Sequence, residues 1–283
     1  MICALSLMAI LAANSSKAVE ADAEELWKQK QSPAAAAAAT AIRERAEREA
    51  LALGDKHPWA GSYYSGDGLG VNRSLVLSPE AGFSFEWEGC LGPYDRNYGD
   101  VADDGQTLLM APVLPNDARH VGLATALVPV TWGDRHYLVG FDKITAFCND
   151  VNAGFEPRSS VHGSAYLRRG DETKTADGSP LSRAGRFHCL LDAPLQTRIV
   201  AVGGSTRTRE RWGTDLTTFV TIDAGHDKGV YEGLWLFDAA FHFETRIVAV
   251  EEHTSRARVV SSGAKERTRR PTVGIPLTTR PSR

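Results

Sequence analysis

Between Gly82 and Gly89 the chain reads GFSFEWEG, with Phe83, Phe85 and Trp87 alternating with Ser84, Glu86 and Glu88. A period of two puts the three aromatic rings on one face of a β-strand and the polar residues on the other. Such a strand needs partners that complete a core over its aromatic face, and the flanking sequence supplies them. RSLVLSP is apolar at Leu75 and Leu77, and PEAG (Pro79–Gly82) provides the turn of a hairpin. Asp104-Gly105 is a strong turn pair ahead of a strand at Thr107–Met110, and LVPVTW and RHYLV flank Gly133-Asp134 as a second hairpin. A further strand is expected around Ser164–Leu167. Short strands at this spacing predict an antiparallel meander over residues 55–167, curling into a β-barrel or sandwich.

One helix is expected inside that domain. In FDKITAFCNDVNAG, Asp142 is placed to cap the first turn, Ile144, Phe147, Cys148 and Val151 recur at helical spacing, and Gly154 ends the run. Residues 19–54 differ in composition. They are rich in Ala, Glu, Arg and Lys, and they predict one helix starting near Pro33 and ending at Gly54. Its only large aliphatics are Ile42, Leu51 and Leu53, which suits a spacer or a peripheral packer. Ahead of it, residues 1–18 hold an apolar run from Ile2 to Ala13. That is signal-peptide-like, though without a basic n-region, and it is shorter than the roughly 20 apolar residues that span a bilayer. The chain is therefore expected to be periplasmic or secreted, with no transmembrane span in its mature form. Cys3 precedes the apolar run, which argues against lipidation.

Residues 168–190 are polar and rich in Gly, Ser and Pro, and are expected to form a linker. Beyond them TRIVAV occurs twice, at Thr197–Val202 and Thr245–Val250. GGSTRTRERW after the first copy has no counterpart after the second, so the pair is not a duplicated module. Each copy suits a strand with one face in a core, which raises the question whether Ile199 and Ile247 share one. Between the copies, DAGHDKGVYEG spaces Gly225, Gly229 and Gly233 four apart, marking a tight connection. No Lys-Ser pair follows, so it is not a phosphate loop.

FVTIDAGHDKGVYEGLWLF resembles a pattern in small β-barrels of bacterial envelope assembly proteins, namely the C-terminal domain of flagellar assembly protein T and the barrels of rod-shape-determining protein C. The resemblance runs through Asp223, Gly225, Gly229, Val230 and Gly233. It implies a small β-barrel over residues 191–283, a protein-interaction or scaffolding role in the periplasm, and no catalytic residue. The larger N-terminal part is similar to uncharacterised exported bacterial proteins. Its hairpin rhythm is also similar to lipocalin-like barrels, which implies a ligand-holding cup lined by Phe83, Phe85 and Trp87.

A net charge of −3 and a pI near 6.3 provide no basic field for nucleic acid, and no such partner is expected. Three polar clusters stand out as candidate ligand-binding residues: Asp67 in SGDGLGVN, Tyr94, Asp95 and Asn97 in CLGPYDRNYG, and Trp132, Asp134 and Arg135 in TWGDRHY. The second has the make-up of a pocket rim. Neither Asp67 nor DVADDG has EF-hand spacing, and there is no CxxC, so no metal and no cofactor are expected. Apart from Cys3, the chain has Cys90, Cys148 and Cys189, enough for one disulfide and a spare thiol. Cys90 with Cys148 is the first choice, since both fall in one proposed domain, and three buried inert thiols is the alternative.

An enzymatic alternative would have Asp134 orient His136 and Cys148 act as nucleophile, a hydrolase. Neighbours on a strand point to opposite faces, however, and no motif brings Cys148 to His136. The basic runs STRTRERW and AKERTRRP are expected in loops, either solvated or in contact with an anionic polymer. The leading expectation is a non-catalytic exported envelope protein acting as a binding or scaffolding module, its partner an envelope protein or an anionic envelope polymer.

Overall fold

A computed structural model describes residues 24–66, 68–116, 123–157, 165–175, 185–210, 213–239, 244–263 and 270–281. The signal-like segment, Asp67 and most of AKERTRRP lie outside the described residues. The fold is mainly β and contains two closed antiparallel barrels, one of eight strands and one of six. The chain divides into two compact units, Met1–Phe141 with Arg158–Ser179, and Asp142–Pro157 with Pro180–Arg283.

The first barrel is an up-and-down meander of β1 (Gly61–Gly66), β2 (Asn72–Ser78), β3 (Gly82–Gly89), β4 (Gly92–Asp103), β5 (Leu108–Pro112), β6 (Ala126–Trp132), β7 (Arg135–Gly140) and β8 (Ala165–Arg168). β8 closes on β1 through Tyr63↔Arg168 and Tyr64↔Leu167. Phe83 and Phe85 are fully buried with Leu75, Leu77, Leu108, Leu127 and Leu138, and Trp87 packs at the margin of this core. Each buried Phe contributes about 1.5–3 kcal/mol relative to exposure. Ser84 is buried too, on the opposite face, because α1 (Pro33–Leu53) lies along β2, β3 and β4. Ser32 caps α1 by accepting from the Ala35 N–H at 3.2 Å, and Gly54 ends it at φ 74°. Ala35, Ala39 and Ala46 form its buried face, so the helix packs against the barrel instead of serving as a free spacer. Glu49 fastens its far end, accepting from Ser78 Oγ at 2.7 Å and from the N–H groups of Glu80 and Ala81 in the β2–β3 turn.

CLGPYDRNYG was expected as the polar rim of a pocket; it forms the turn into β4 and the first eight residues of that twelve-residue strand. The described residues of the expected linker are not free chain either. Asp171, Lys174 and Thr175 bond back to the first unit, and Phe187, Cys189 and Leu190 pack in the second.

The second barrel comprises β9 (Gln196–Glu210), β10 (Gly213–Ile222), β11 (Trp235–Asp238), β12 (Glu244–Val250), β13 (Ser255–Gly263) and β14 (Pro276–Thr278), closed in the order β10-β13-β12-β11-β14-β9. The first TRIVAV lies in β9 and the second in β12, which are not neighbours, yet Ile199 and Ile247 are both buried in one core. STRTRERW, expected in a loop, continues β9 as far as Glu210 and leads into β10. Asp223 joins the end of β10 to the first TRIVAV, accepting from Thr197 Oγ1 at 2.7 Å and from the Arg198 N–H at 3.0 Å. Gly225 has no room for a side chain, since a Cβ there would sit 2.3 Å from the Glu251 carbonyl oxygen.

Helix α2 (Ile144–Ala153) has the apolar face its spacing predicts and ends at Gly154 in the left-handed region, but it belongs to the second unit. Asp142 does not cap it; that residue lies in a preceding 3-10 turn, and Lys143 at the N-cap makes no side-chain cap bond. Asn149 Nδ2 donates to the Gly233 carbonyl at 2.9 Å, while its Oδ1 accepts from the Trp235 N–H and from Tyr231 Oη. Asn152 similarly bonds the backbone of Cys189 and Leu191.

Candidate functional site

The first barrel's strands alternate in direction, so the β1–β2, β3–β4 and β5–β6 connections share one end. There the inward positions, apolar deeper in, turn polar. Arg73 pairs across the sheet with Ser65 and with Trp87, and so shares the face of Leu75 and Phe85. Its Nη2 donates to Ser65 Oγ at 3.0 Å, and its guanidinium lies 5.5 Å from the centre of the Tyr166 ring. Burial pushes the Tyr166 hydroxyl above its ordinary pKa, against the pull of Arg73. The Trp87 indole N–H is buried without a hydrogen-bond partner. Leu69, Leu91 and Val113 are exposed on the connections at this end.

Of the residues expected here, Asp95 and Asn97 are inward and buried, and both are committed to the fold. Lys30 Nζ donates to Asp95 Oδ1 at 2.6 Å. Asn97 Nδ2 donates to the Leu114 carbonyl at 2.8 Å, and its Oδ1 accepts from the Leu114 and Tyr98 N–H groups. Tyr94 is the residue skipped by the register where Trp87↔Asp95 gives way to Glu88↔Pro93, a β-bulge, and its ring packs 5.3 Å from that of Trp87. Arg73, Ser65 and Tyr166 were missed; only strand register assembles them.

At the other end, Trp132, Asp134 and Arg135 flank the β6–β7 turn. Trp132 packs near Tyr137, and the Asp134 N–H donates to the Thr175 carbonyl at 3.2 Å. Arg135 spends its guanidinium on the carbonyls of Lys174 and Glu172 and on Tyr137 Oη. Arg168, running off β8, donates to the carbonyls of Asp55 and His57 and to Tyr63 Oη, whose pKa burial pushes up to about 12.

The residue that orients His136 is Asp171, from the segment expected as a linker, and not Asp134. Asp171 Oδ2 accepts from the His136 N–H at 2.8 Å and lies 2.9 Å from Nδ1. A carboxylate cannot donate, so Nδ1 carries the proton. Lys174 Nζ sits 2.5 Å from Asp171 Oδ1. Burial by itself would raise the Asp171 pKa, but Lys174 and the two His136 donors outweigh it and hold the carboxyl below its ordinary value. A depressed folded-state pKa stabilises above the unfolded value near ~4 and is lost as pH falls through the folded value. The first barrel should therefore weaken as pH drops below about 4, and Asp171→Asn should flatten that dependence in melting curves taken from pH 6 to pH 2.

An Asp–His pair can serve a nucleophile, but among the described residues no hydroxyl or thiol bonds the other ring nitrogen of His136. Cys148 cannot, because it is bonded to Cys189 and fully buried. This also corrects the expected Cys90–Cys148 pairing: Cys90 is a free, exposed thiol on the β3–β4 turn. The bond forms within the second unit, where α2 belongs. Among the described residues no group of three His, Cys, Asp or Glu side chains is placed to hold a metal ion, and no helix is long and apolar enough to cross a membrane. No protein-family model, no curated protein and no solved structure matches this chain.

Proposed function

We propose that the chain is a non-catalytic, exported protein of the cell envelope that acts as a binding or scaffolding module. The Cys148–Cys189 bond carries the proposal. It removes the one thiol offered for nucleophilic chemistry, and structural disulfides belong to oxidising compartments such as the periplasm or the cell exterior. Two residues of the second barrel's turn have structural work, Asp223 in tying strands and Gly225 in admitting a close backbone. That agrees with the scaffolding role implied by its resemblance to flagellar assembly protein T and rod-shape-determining protein C. An envelope protein or an anionic envelope polymer is the proposed partner.

A small-ligand role for the first barrel is a second reading, favoured by the buried, unpartnered Trp87 indole N–H directly across the strand pair from Arg73. An acceptor on a ligand would relieve a cost of about 1–3 kcal/mol.

Cell fractionation followed by purification tests both. The expected product is an envelope-fraction chain without its apolar amino-terminal run and with one alkylatable thiol, Cys90. A full-length, fully reduced chain in the cytoplasm overturns the first reading. Solvent extraction of the same material, with mass spectrometry of what is released, decides the second.

A further inference from the structure

On the outer face of the second barrel, β12 and β13 place two arginines directly opposite each other, Arg246 against Arg258. Arg256 stands two residues along β13 on the same face, a spacing of about 6.7 Å from the strand rise. The alternating residues Ile247, Ala257 and Val259 are buried in the core, so the pleat commits all three arginines to solvent, where they are exposed. Like charges directly opposite each other destabilise a sheet. Among the described residues none of the three has a carboxylate at salt-bridge distance. Glu244, two positions before Arg246 on the same face, pairs with neither. Burial raises its pKa despite the pull of Arg246 and Arg258.

We propose that this face binds a linear anionic glycan, a polymer repeating carboxylate or phosphate groups along its length. The inference rests on the binding reading above and names the partner class. A guanidinium presents a planar fork that takes carboxylate or phosphate in two parallel hydrogen bonds. Arg246 and Arg258 across the strands, with Arg256 along one of them, form a short ladder of such forks that a repeating anion can follow. Single-stranded nucleic acid fits less well, because it depends on open aromatic faces for base stacking. Of the aromatic rings on this face, Phe219 is already covered by Arg256, whose guanidinium lies 4.3 Å from its centre, and Trp235, opposite Arg246, is half-buried.

The purified full-length protein is titrated with polygalacturonate oligomers, with a poly(glycerol phosphate) of similar length, and with a single-stranded oligodeoxynucleotide of equal charge, each at several salt concentrations. At least one of the first two should bind, more tightly than the oligonucleotide and less tightly as salt rises; which one binds separates carboxylate from phosphate as the source. Arg246→Gln/Arg258→Gln should weaken that binding by about tenfold or more. The melting temperature of the variant should stay level or rise, because a repulsive pair has been removed. Undiminished binding by the variant, tighter binding of the oligonucleotide, or no binding of either polymer overturns the inference. A variant that melts lower identifies the arginines as structural and overturns it as well. Each of these outcomes is independent of the cellular location and thiol state on which the proposed function is tested.

Discussion

Replacing Lys30 by Met lowers the unfolding free energy of the first barrel by about 3–5 kcal/mol. Lys30 Nζ and Asp95 Oδ1 are 2.6 Å apart, and the two side chains are 7% and 8% exposed. With the ammonium gone, the carboxylate remains in the barrel end without a counter-charge. Lys30→Met/Asp95→Leu should recover most of the loss, because an apolar pair of similar volume needs no desolvation of charge. Chemical unfolding of the full-length protein, with hydrogen exchange followed in peptides from β3 and β4, reads both variants. A single replacement costing less than about 1 kcal/mol would place the pair in the surface class and contradict its burial. The large value means that the segment ahead of α1 is part of the barrel: Gln31 Nε2 also donates to the Pro93 carbonyl there, at 3.1 Å.

Removing the disulfide as Cys148→Ala/Cys189→Ala destabilises the second unit by about 4 kcal/mol, the chain-entropy value for a closed loop of this length. The bond spans a sequence separation of 41 residues. Exchange at α2 amides should accelerate by up to about a thousandfold, since 1.4 kcal/mol is one factor of ten. Peptides from the first barrel should be unaffected. Dithiothreitol acting on the parent protein should reproduce the change. Unaltered exchange would mean that the amide contacts of Asn149 and Asn152 hold the helix without the bond.

β3 and β4 are adjacent strands of one barrel, and only one was legible. In β3 the inward residues are Phe83, Phe85 and Trp87, so hydropathy shows the period of two. In β4 the inward residues are Asp95, Asn97 and Gly99, and the same period carries no hydropathy signal. Asp95 and Asn97 tolerate the interior because Lys30 and the Leu114 backbone satisfy them from far along the chain. The outer half of β9 was hidden for the complementary reason: residues from Ala201 to Thr208 are exposed, so neither of its faces is marked by burial. The helix α2 was recognisable from its own spacing, but its allegiance to the second unit depends on Cys189, Gly233 and Tyr231.

The sequence by itself determined the β class, the helix over Pro33–Leu53, the glycine-marked turns and the core-facing placement of Ile199 and Ile247, though not the alternation beyond them, since Ala201 and Ala249 are exposed. These are properties of a few consecutive residues, set by backbone sterics and a period of two or 3.6. Only the tertiary structure decided that Ile199 and Ile247 meet in one core from non-adjacent strands, that Asp171 serves His136, that Cys148 takes Cys189, and that Arg246 faces Arg258. Each of these joins residues distant in sequence through strand register and barrel closure. A shift of one residue in register would turn every one of the strand contacts to the other face, so local pattern alone could not select the partners.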